Sequence, residues 1–278
     1  MNSYVEIMRP KLWFKNILVF APLFFTGLVF SFNYYPEMLF RMILFCMASG
    51  FSYVINDIFD RKNDLHHPIK KNRPLPSGRL SLLGAIVLII GLGLTIGIGM
   101  GLLGFISFIP LYMINTFVYS RVLKNYIGID NVSVAINYCL RLLEGYIVLS
   151  IMPSIYPILT VFFLLMLMNT LKKKEEHMSL KHDAVKHRKS LKGIKFGTQD
   201  IMIACFTSLF IWSIIMSLPN ELSLLTIPLV ALLTIKYIYF IDTDPDKIMY
   251  PNRVFKDKQF TIIFAILVVS LIVTMVIG

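Results

Sequence analysis

Three aspartates follow one another at helical spacing in the segment NDIFDRKND, residues 56–64. Asp57, Asp60 and Asp64 are spaced i, i+3 and i+7, so a helix would carry their carboxylates on one face, with Asn56 beside them. Mg²⁺ prefers oxygen ligands and often links one or two carboxylates to the phosphates of a substrate. The spacing therefore indicates a magnesium site for a diphosphate substrate. A solvated helix end with chance acids is the alternative.

Basic residues come directly after these acids. The segment DLHHPIKKNRPLPSG, residues 64–78, carries Lys70 and Arg73 between prolines that prevent the helix from continuing. Such side chains could bind phosphate oxygens, arginine with two parallel hydrogen bonds. The alternative is that they only follow the excess of Lys and Arg found in cytoplasmic loops of membrane proteins.

The composition indicates the class of protein that must position these groups. Of the 278 residues 56% are hydrophobic and only 15% are charged, whereas a soluble domain carries roughly a quarter charged residues. We therefore predict an integral membrane protein. Its net charge of +11 is explained by loop residues on the cytoplasmic side, so no nucleic acid partner is expected.

Apolar runs predict an all-α fold with nine transmembrane helices, because about 20 apolar residues span a hydrocarbon core. The predicted spans lie near residues 14–32, 38–58, 80–99, 101–119, 130–150, 155–171, 199–218, 222–241 and 260–277. A tight glycine-rich turn at Gly99–Gly104 would separate the third span from the fourth. No soluble segment remains, so residues 1–278 are predicted to form a single transmembrane domain.

The distribution of basic residues predicts the orientation. Of the 27 Lys and Arg, 25 fall at the N-terminus or in every second loop. By the positive-inside rule, the N-terminus and the acidic motif would face the cytoplasm of a cell membrane, with the C-terminus outside. Arg141 is an exception inside a predicted span, where an unpaired charge costs at least a few kcal/mol. It would either pair with Glu144 or, as we favour, point into a cavity and bind substrate.

Several stretches together resemble a known family. NDIFDRKND is similar to the N-D-x-x-D-x-x-x-D motif of the UbiA superfamily of intramembrane prenyltransferases, and nine helices would suit its helical bundle. Further segments resemble the decaprenyl-phosphate phosphoribosyltransferase branch. These are RPKLWFKN (9–16), DLHHPIKKNRPLPSG (64–78), YSRVLK (119–124), Asp130, LRLLEG (140–145) and KHRKSLK (186–192).

The resemblance implies a reaction. In that branch a polyprenyl phosphate attacks C1 of phosphoribosyl pyrophosphate, and pyrophosphate leaves. Asp57, Asp60 and Asp64 would be the catalytic, Mg²⁺-binding residues. The resemblance also implies substrate contacts, with Glu176 on a second ion or a ribose hydroxyl and Tyr119 on a phosphate. The implied phosphate-neutralising bases are Lys15, Lys70, Arg73, Lys124, Lys186, Arg188 and Lys189.

Two other functions remain open. Ordinary superfamily members transfer a prenyl group from a prenyl diphosphate to an aromatic or other small acceptor. They usually carry a second Asp-rich motif after the sixth helix, where this chain has NTLKKKEEHMSLKHDAVKHRKSLK without D-x-x-x-D. A transporter or channel would need charges or broken helices near the midplane. A homo-oligomer is also left open.

Overall fold

The computed structural model describes residues 2–65, 70–126, 128–180, 196–249 and 251–277, and within these ranges it contains helices and no strands. The all-α prediction is therefore confirmed for the described residues. The α-helices are α1 (Ser3–Ile7), α2 (Ala21–Phe25), α3 (Tyr35–Asp64), α4 (Leu82–Leu102), α5 (Ile109–Arg121), α6 (Ile129–Leu149), α7 (Ile155–Leu180), α8 (Phe196–Ser217), α9 (Ile227–Thr243), α10 (Pro245–Met249) and α11 (Lys258–Ile277). The 3₁₀ helices are Pro10–Phe20, Phe32–Tyr34, Lys70–Asn72, Leu123–Asn125, Glu221–Thr226 and Pro251–Lys256.

Seven helical segments of the described chain are long and apolar enough to cross a membrane. They are Phe32–Lys62, Leu82–Leu102, Ile129–Leu149, Ile155–Glu176, Thr198–Ser217, Glu221–Thr243 and Lys258–Ile277. Seven of the nine predicted spans thus have a counterpart. The predicted count of nine is not confirmed.

The two remaining predicted spans form shorter helices. In place of the first, the 3₁₀ helix Pro10–Phe20 continues into α2, which ends at Phe25, two residues before Gly27 takes a left-handed φ of 71°. In place of the fourth, α5 has only 13 residues, about 20 Å at 1.5 Å per residue. Apolar composition predicted both segments, but it does not determine the length of a helix.

The glycine-rich turn before α5 is present as predicted. Helix α4 ends at Leu102, and Gly104 follows with a φ of 66°, a left-handed conformation that glycine adopts at little cost. Phe105 shares this conformation with a φ of 61°. The chain reverses here and enters α5 at Ile109.

The described residues divide into two compact units by their internal contacts, while the single-domain organisation stays a prediction. Unit 1 comprises Met1–Ala21, Ser31–Val122 and Leu140–Met152. In it, α3 packs against α4, α5 and the first 3₁₀ helix. One of its cores joins α1, α3, the proline-rich loop and α4 through Ile7, Val54, Leu75, Leu80 and Ala85.

Unit 2 comprises Pro22–Phe30, Leu123–Cys139 and Pro153–Gly278. Its most extensive helix pair is α7 against α8. Its apolar core is formed by Leu167, Leu171, Ile203, Tyr237, Phe240, Ile241, Ile248 and Val254. Close van der Waals packing of such side chains is a main source of helix association within a bilayer.

The orientation prediction can be tested by cysteine labelling in a variant that lacks Cys46, Cys139 and Cys205. We expect single cysteines in all five basic segments, for instance at Ser190, to react with a membrane-impermeant probe only from the cytoplasmic side. A cysteine at Gly278 should react only from outside. Labelling at Ser190 solely from outside would show that the orientation is inverted and that a soluble donor could not reach the acidic motif.

Candidate active site

Two of the three predicted carboxylates converge on one point. Asp57 and Asp64 lie on α3 with exposed fractions of only 1% and 3%. Both accept hydrogen bonds from the same Nη1 atom of Arg73, at 3.2 Å from Asp57 Oδ1 and 2.7 Å from Asp64 Oδ2. The predicted common face is thus observed for these two residues. Asp60 lies between them on the helix and is half-buried.

Arg9 completes the ion-pair cluster and was not among the predicted site residues. Its Nη2 donates to Asp57 Oδ1 at 2.5 Å, and its guanidinium lies 4.8 Å from the centroid of the Tyr53 ring. The backbone of Arg9 is left-handed, with φ 53° and ψ 57°, a conformation that costs a non-glycine residue about 1–3 kcal/mol. Such strain is typical of functional positions. The sequence signal for Arg9 was its place at the start of RPKLWFKN, one of the segments that resemble the phosphoribosyltransferase branch. Its left-handed backbone had no signal, because a following proline favours an extended conformation.

The proline-rich loop brings Arg73 to the carboxylates because it folds back onto α3. Leu75 is fully buried in the unit 1 core, and the Leu80 N–H closes the loop by donating to the Pro74 carbonyl at 2.9 Å. Lys70 enters the same cluster, with its Nζ 3.9 Å from Asp64 Oδ1. Lys70 and Arg73 thus lie beside the acids in the structure, and their predicted contact with phosphate stays a prediction.

A second contact fixes the loop to the N-terminal helix. The Arg79 guanidinium donates two hydrogen bonds to the Glu6 carboxylate, at 2.6 and 2.8 Å. This pairing holds the pKa of Glu6 below its ordinary value. Since the pKa is lowered on folding, the contact stabilises the loop above the ordinary pKa of glutamate and is lost as the pH falls through the lowered value.

Near the start of α3, a buried network surrounds the carboxylate of Glu144. This residue lies on α6, and its side chain is fully buried. Arg41 Nη1 donates to Glu144 Oε1 at 2.6 Å, and Ser107 Oγ donates to the same oxygen at 2.9 Å. The backbone N–H of Phe108, at the start of α5, donates to Oε2 at 2.7 Å. The ion-pair partner of Glu144 is therefore Arg41, which lies inside the second predicted span and was missed by the sequence patterns.

Arg141 makes a different set of contacts. Its Nε donates to Oδ1 of buried Asn16 at 2.6 Å, and its guanidinium lies 4.6 Å from the centroid of the Tyr112 ring. The exposed fraction of Arg141 is 5%. The polar and aromatic environment explains how this charge is accommodated inside the bundle. Its predicted contact with a substrate stays a prediction.

A family model describes most of the chain. The model of the UbiA prenyltransferase family matches residues 17–249. The chain belongs to this family. Family membership and the seven apolar helices identify an integral membrane protein.

The proteins similar in sequence to this chain include two kinds of named enzyme. The chain is 28% identical over 199 residues to a decaprenyl-phosphate phosphoribosyltransferase from Corynebacterium glutamicum, covering 68% of this chain and 59% of the relative. It is 33% identical over 152 residues to a digeranylgeranylglyceryl phosphate synthase from Korarchaeum cryptofilum, covering 52% and 50%. The aligned part spans between 25% and 62% of the length of the first curated relatives.

Among solved structures, a UbiA homologue from Archaeoglobus fulgidus bound to DMAPP and Mg²⁺ has a similar fold. The TM-score is 0.68 at 17% sequence identity, and the match covers 99% of this chain and all (100%) of that one. This similarity establishes the UbiA-like helical fold.

The acidic cluster of this UbiA-family chain fits a magnesium ion that shares its coordination with a substrate. Among the described residues, no three His, Cys, Asp or Glu side chains are grouped closely enough to hold a metal by themselves. However, the Asp57 and Asp64 carboxylates converge within hydrogen-bonding distance of one cationic nitrogen. One or two carboxylates, completed by phosphate oxygens, are a common environment for Mg²⁺.

The other predicted site residues are distributed over both units. In unit 1, Lys15, Asn56 and Tyr119 are all half-buried, on the first 3₁₀ helix, α3 and α5 respectively. In unit 2, Lys124 lies on the 3₁₀ helix Leu123–Asn125, and Glu176 is half-buried on α7. The predicted bases Lys186, Arg188 and Lys189 lie outside the described residues.

Unit 2 also contains a buried ion pair that sequence patterns had only partly indicated. Asp130, on α6, accepts a hydrogen bond from the Lys173 Nζ atom at 2.7 Å, and both side chains are nearly inaccessible. Asp130 was recognised as part of a branch resemblance, but its partner lies 43 residues away on α7. A separation of this size leaves no periodic signal in the sequence.

Proposed function

We propose that this protein transfers the 5-phosphoribosyl group of phosphoribosyl pyrophosphate to a polyprenyl phosphate and releases pyrophosphate. The observation that carries the proposal is the cluster at the end of α3. There, the buried carboxylates of Asp57 and Asp64 lie among the cationic side chains of Arg9, Lys70 and Arg73. Neighbouring carboxylates and cationic side chains suit a diphosphate donor. The carboxylates can hold a metal that binds some of its oxygens, and the guanidinium groups can bind the others.

The residues of the cluster would have separate tasks. Asp57 and Asp64, assisted by Asp60, would hold Mg²⁺, which on binding supplies charge neutralisation for a leaving pyrophosphate. Arg73 and Lys70 already lie against the carboxylates, so they are positioned to contact diphosphate oxygens held at the same place. Arg9 compensates the charge of Asp57, which would otherwise be costly at an exposed fraction of 1%.

The chemistry requires little proton transfer. An oxygen of the polyprenyl phosphate forms a bond to C1 of the ribose while the bond between C1 and the pyrophosphate oxygen breaks. A phosphate monoester is already anionic and nucleophilic, so no general base is needed. The protein would act mainly through positioning and electrostatic stabilisation of the leaving group.

The comparison with decaprenyl-phosphate phosphoribosyltransferases supports this proposal, since their similarity extends over 68% of the chain. The predicted roles of the remaining side chains are retained as part of it. They are phosphate contacts by Lys15, Tyr119, Lys124, Lys186, Arg188 and Lys189, a ribose or second-ion contact by Glu176, and substrate contacts by Asn56 and Arg141.

The second candidate is prenyl transfer from a prenyl diphosphate to an aromatic or other small acceptor. The match to a digeranylgeranylglyceryl phosphate synthase favours it. The segment between the sixth and seventh predicted spans contains no D-x-x-x-D, and this counts against it. A transporter has less support, because the chain belongs to a prenyltransferase family.

The basic run KHRKSLK provides an experiment that separates the two enzyme candidates. A charge-assisted contact is worth about 1.5–3 kcal/mol. We therefore expect Arg188→Ala to lower kcat/KM for phosphoribosyl pyrophosphate by roughly tenfold or more. Arg188→Lys should restore activity only in part, because the two-pronged guanidinium contact is lost. The KM for polyprenyl phosphate should change less.

The double variant Arg188→Ala, Lys189→Ala tests the alternative that these bases make no contact with the donor. If both bases serve only the positive-inside rule, orientation depends on the summed charge of the loop and their removal should cost little. Unchanged kinetics for the phosphoribosyl donor would therefore remove this support and favour prenyl transfer. Arg61→Ala, which removes an exposed base on α3, is the matched control.

A further inference from the structure

A groove with an almost wholly apolar lining runs between α3 and α5 in unit 1. Its volume is about 250 Å³, and its walls include Phe51 and Ile55 from α3 and Ile114 and Phe117 from α5. Ile114 and Phe117 are 60% and 46% exposed. In a membrane protein such a surface faces hydrocarbon, so the groove is suited to a lipid chain.

An arginine lies where this groove reaches the end of α5. Arg121 is the last residue of the helix, one turn beyond Phe117. Its guanidinium carbon lies 3.5 Å from the centroid of the Phe59 ring and 6.0 Å from that of Phe117. A guanidinium can stack on an aromatic face and still donate hydrogen bonds, and Arg121 is exposed.

The electrostatic surroundings of Arg121 favour an anionic ligand. Among the residues that the structure describes, no carboxylate lies within salt-bridge distance of Arg121, and the side chain is exposed. A cation at the end of an apolar groove matches a phosphate at the head of an apolar chain. Each Lys or Arg near a membrane surface contributes roughly 1 kcal/mol of attraction to anionic lipid.

The groove and the acidic cluster lie on different faces of α3. Phe51, Ile55 and Phe59 follow one another at i, i+4 and i+8, which places them on one face. Asp57 is two residues from Ile55, about 200° around the helix, and it contacts Arg9 and Arg73 instead. A phosphate at Arg121 would therefore be separated by α3 from the proposed reaction site.

We propose that Arg121 binds the phosphate of an anionic bilayer phospholipid, with one acyl chain of that lipid lying in the α3–α5 groove. The separation from Asp57 and Asp64 favours a bilayer lipid over the polyprenyl phosphate substrate, which must reach the reaction site. The bound lipid would bridge α3 and α5 at the end where the short α5 finishes. The proposal is independent of the reaction that the protein catalyses.

Native mass spectrometry of the purified full chain can count bound lipids during titration with phosphatidylglycerol or phosphatidylcholine. We expect the wild type to prefer phosphatidylglycerol and Arg121→Ala to bind it about fivefold to tenfold more weakly. Arg121→Lys should retain part of the preference. Arg61→Ala, an exposed base on α3 that does not line the groove, should bind like the wild type.

A second variant tests the groove independently of the charge. Ile114→Trp would fill the groove from an exposed position. It should reduce the occupancy of both lipids. The purified variant should still elute as a monodisperse peak in size-exclusion chromatography. Equal phosphatidylglycerol binding by the wild type and Arg121→Ala would overturn the proposal. So would equal losses in Arg121→Ala and Arg61→Ala, unchanged binding by Ile114→Trp, or displacement of phosphatidylglycerol by one equivalent of polyprenyl phosphate.

Discussion

Replacing Asp64 with asparagine is expected to abolish transfer while leaving expression and folding close to those of the wild type. The change removes the charge that accepts the 2.7 Å hydrogen bond from Arg73 and that would hold Mg²⁺, but it alters the shape of the side chain little. Electrostatic assistance from a bound metal is worth several kcal/mol, so we expect a loss of at least about a hundredfold in kcat. Asp60→Asn should have a comparable effect.

The measurement is the initial rate of lipid product formation from labelled phosphoribosyl pyrophosphate, with folding followed by thermal unfolding in detergent. Asp246→Asn is a matched control, because Asp246 is an exposed aspartate that pairs with Arg253 on the surface. It should retain activity. Turnover by the wild type in excess EDTA, at its normal rate, would contradict the magnesium role directly.

Removal of the Arg41 charge is expected to give the largest loss of stability. In Arg41→Met the fully buried Glu144 would lose its ion-pair partner and keep only Ser107 and the Phe108 N–H. Leaving one member of a buried pair uncompensated costs about 3–5 kcal/mol in the free energy of unfolding. Reversible unfolding in mixed micelles would measure this loss.

Two further variants determine whether the loss comes from the pair. The double variant Arg41→Met, Glu144→Gln removes both charges and should recover part of the lost stability, because no buried charge then remains uncompensated. Asp200→Asn breaks an ion pair whose carboxylate is 58% exposed, and it should cost at most about 1 kcal/mol. A loss in Arg41→Met no larger than that would show that the buried pair contributes little.

Local sequence patterns predicted the features whose partners are close in the chain. The i, i+7 spacing placed Asp57 and Asp64 on one face of α3. Arg73, only nine residues after Asp64 in the chain, donates a hydrogen bond to it. The glycines before α5 predicted the turn in which Gly104 takes a positive φ. In each case the information lies within a segment of a few turns.

Contacts between residues far apart in the chain could not be predicted from local sequence patterns. Arg41 and Glu144 are 103 residues apart, and periodicity indicates which face of a helix is apolar but not which helix packs against it. The left-handed backbone of Arg9 is stabilised by contacts with Asp57 and Tyr53, which lie on α3. The N–H of Phe108, the residue before α5, donates to Glu144 on α6, a contact that apolar composition does not encode.

The most direct test of the proposed activity offers both kinds of donor to the purified protein in the presence of Mg²⁺. One reaction contains labelled phosphoribosyl pyrophosphate and a polyprenyl phosphate, and the other contains a labelled prenyl diphosphate and an aromatic acceptor. We predict that label enters a lipid-extractable phosphoribosyl product only in the first reaction, with release of one pyrophosphate per product. A prenylated acceptor from the second reaction, together with no lipid product from the first, would contradict the proposal.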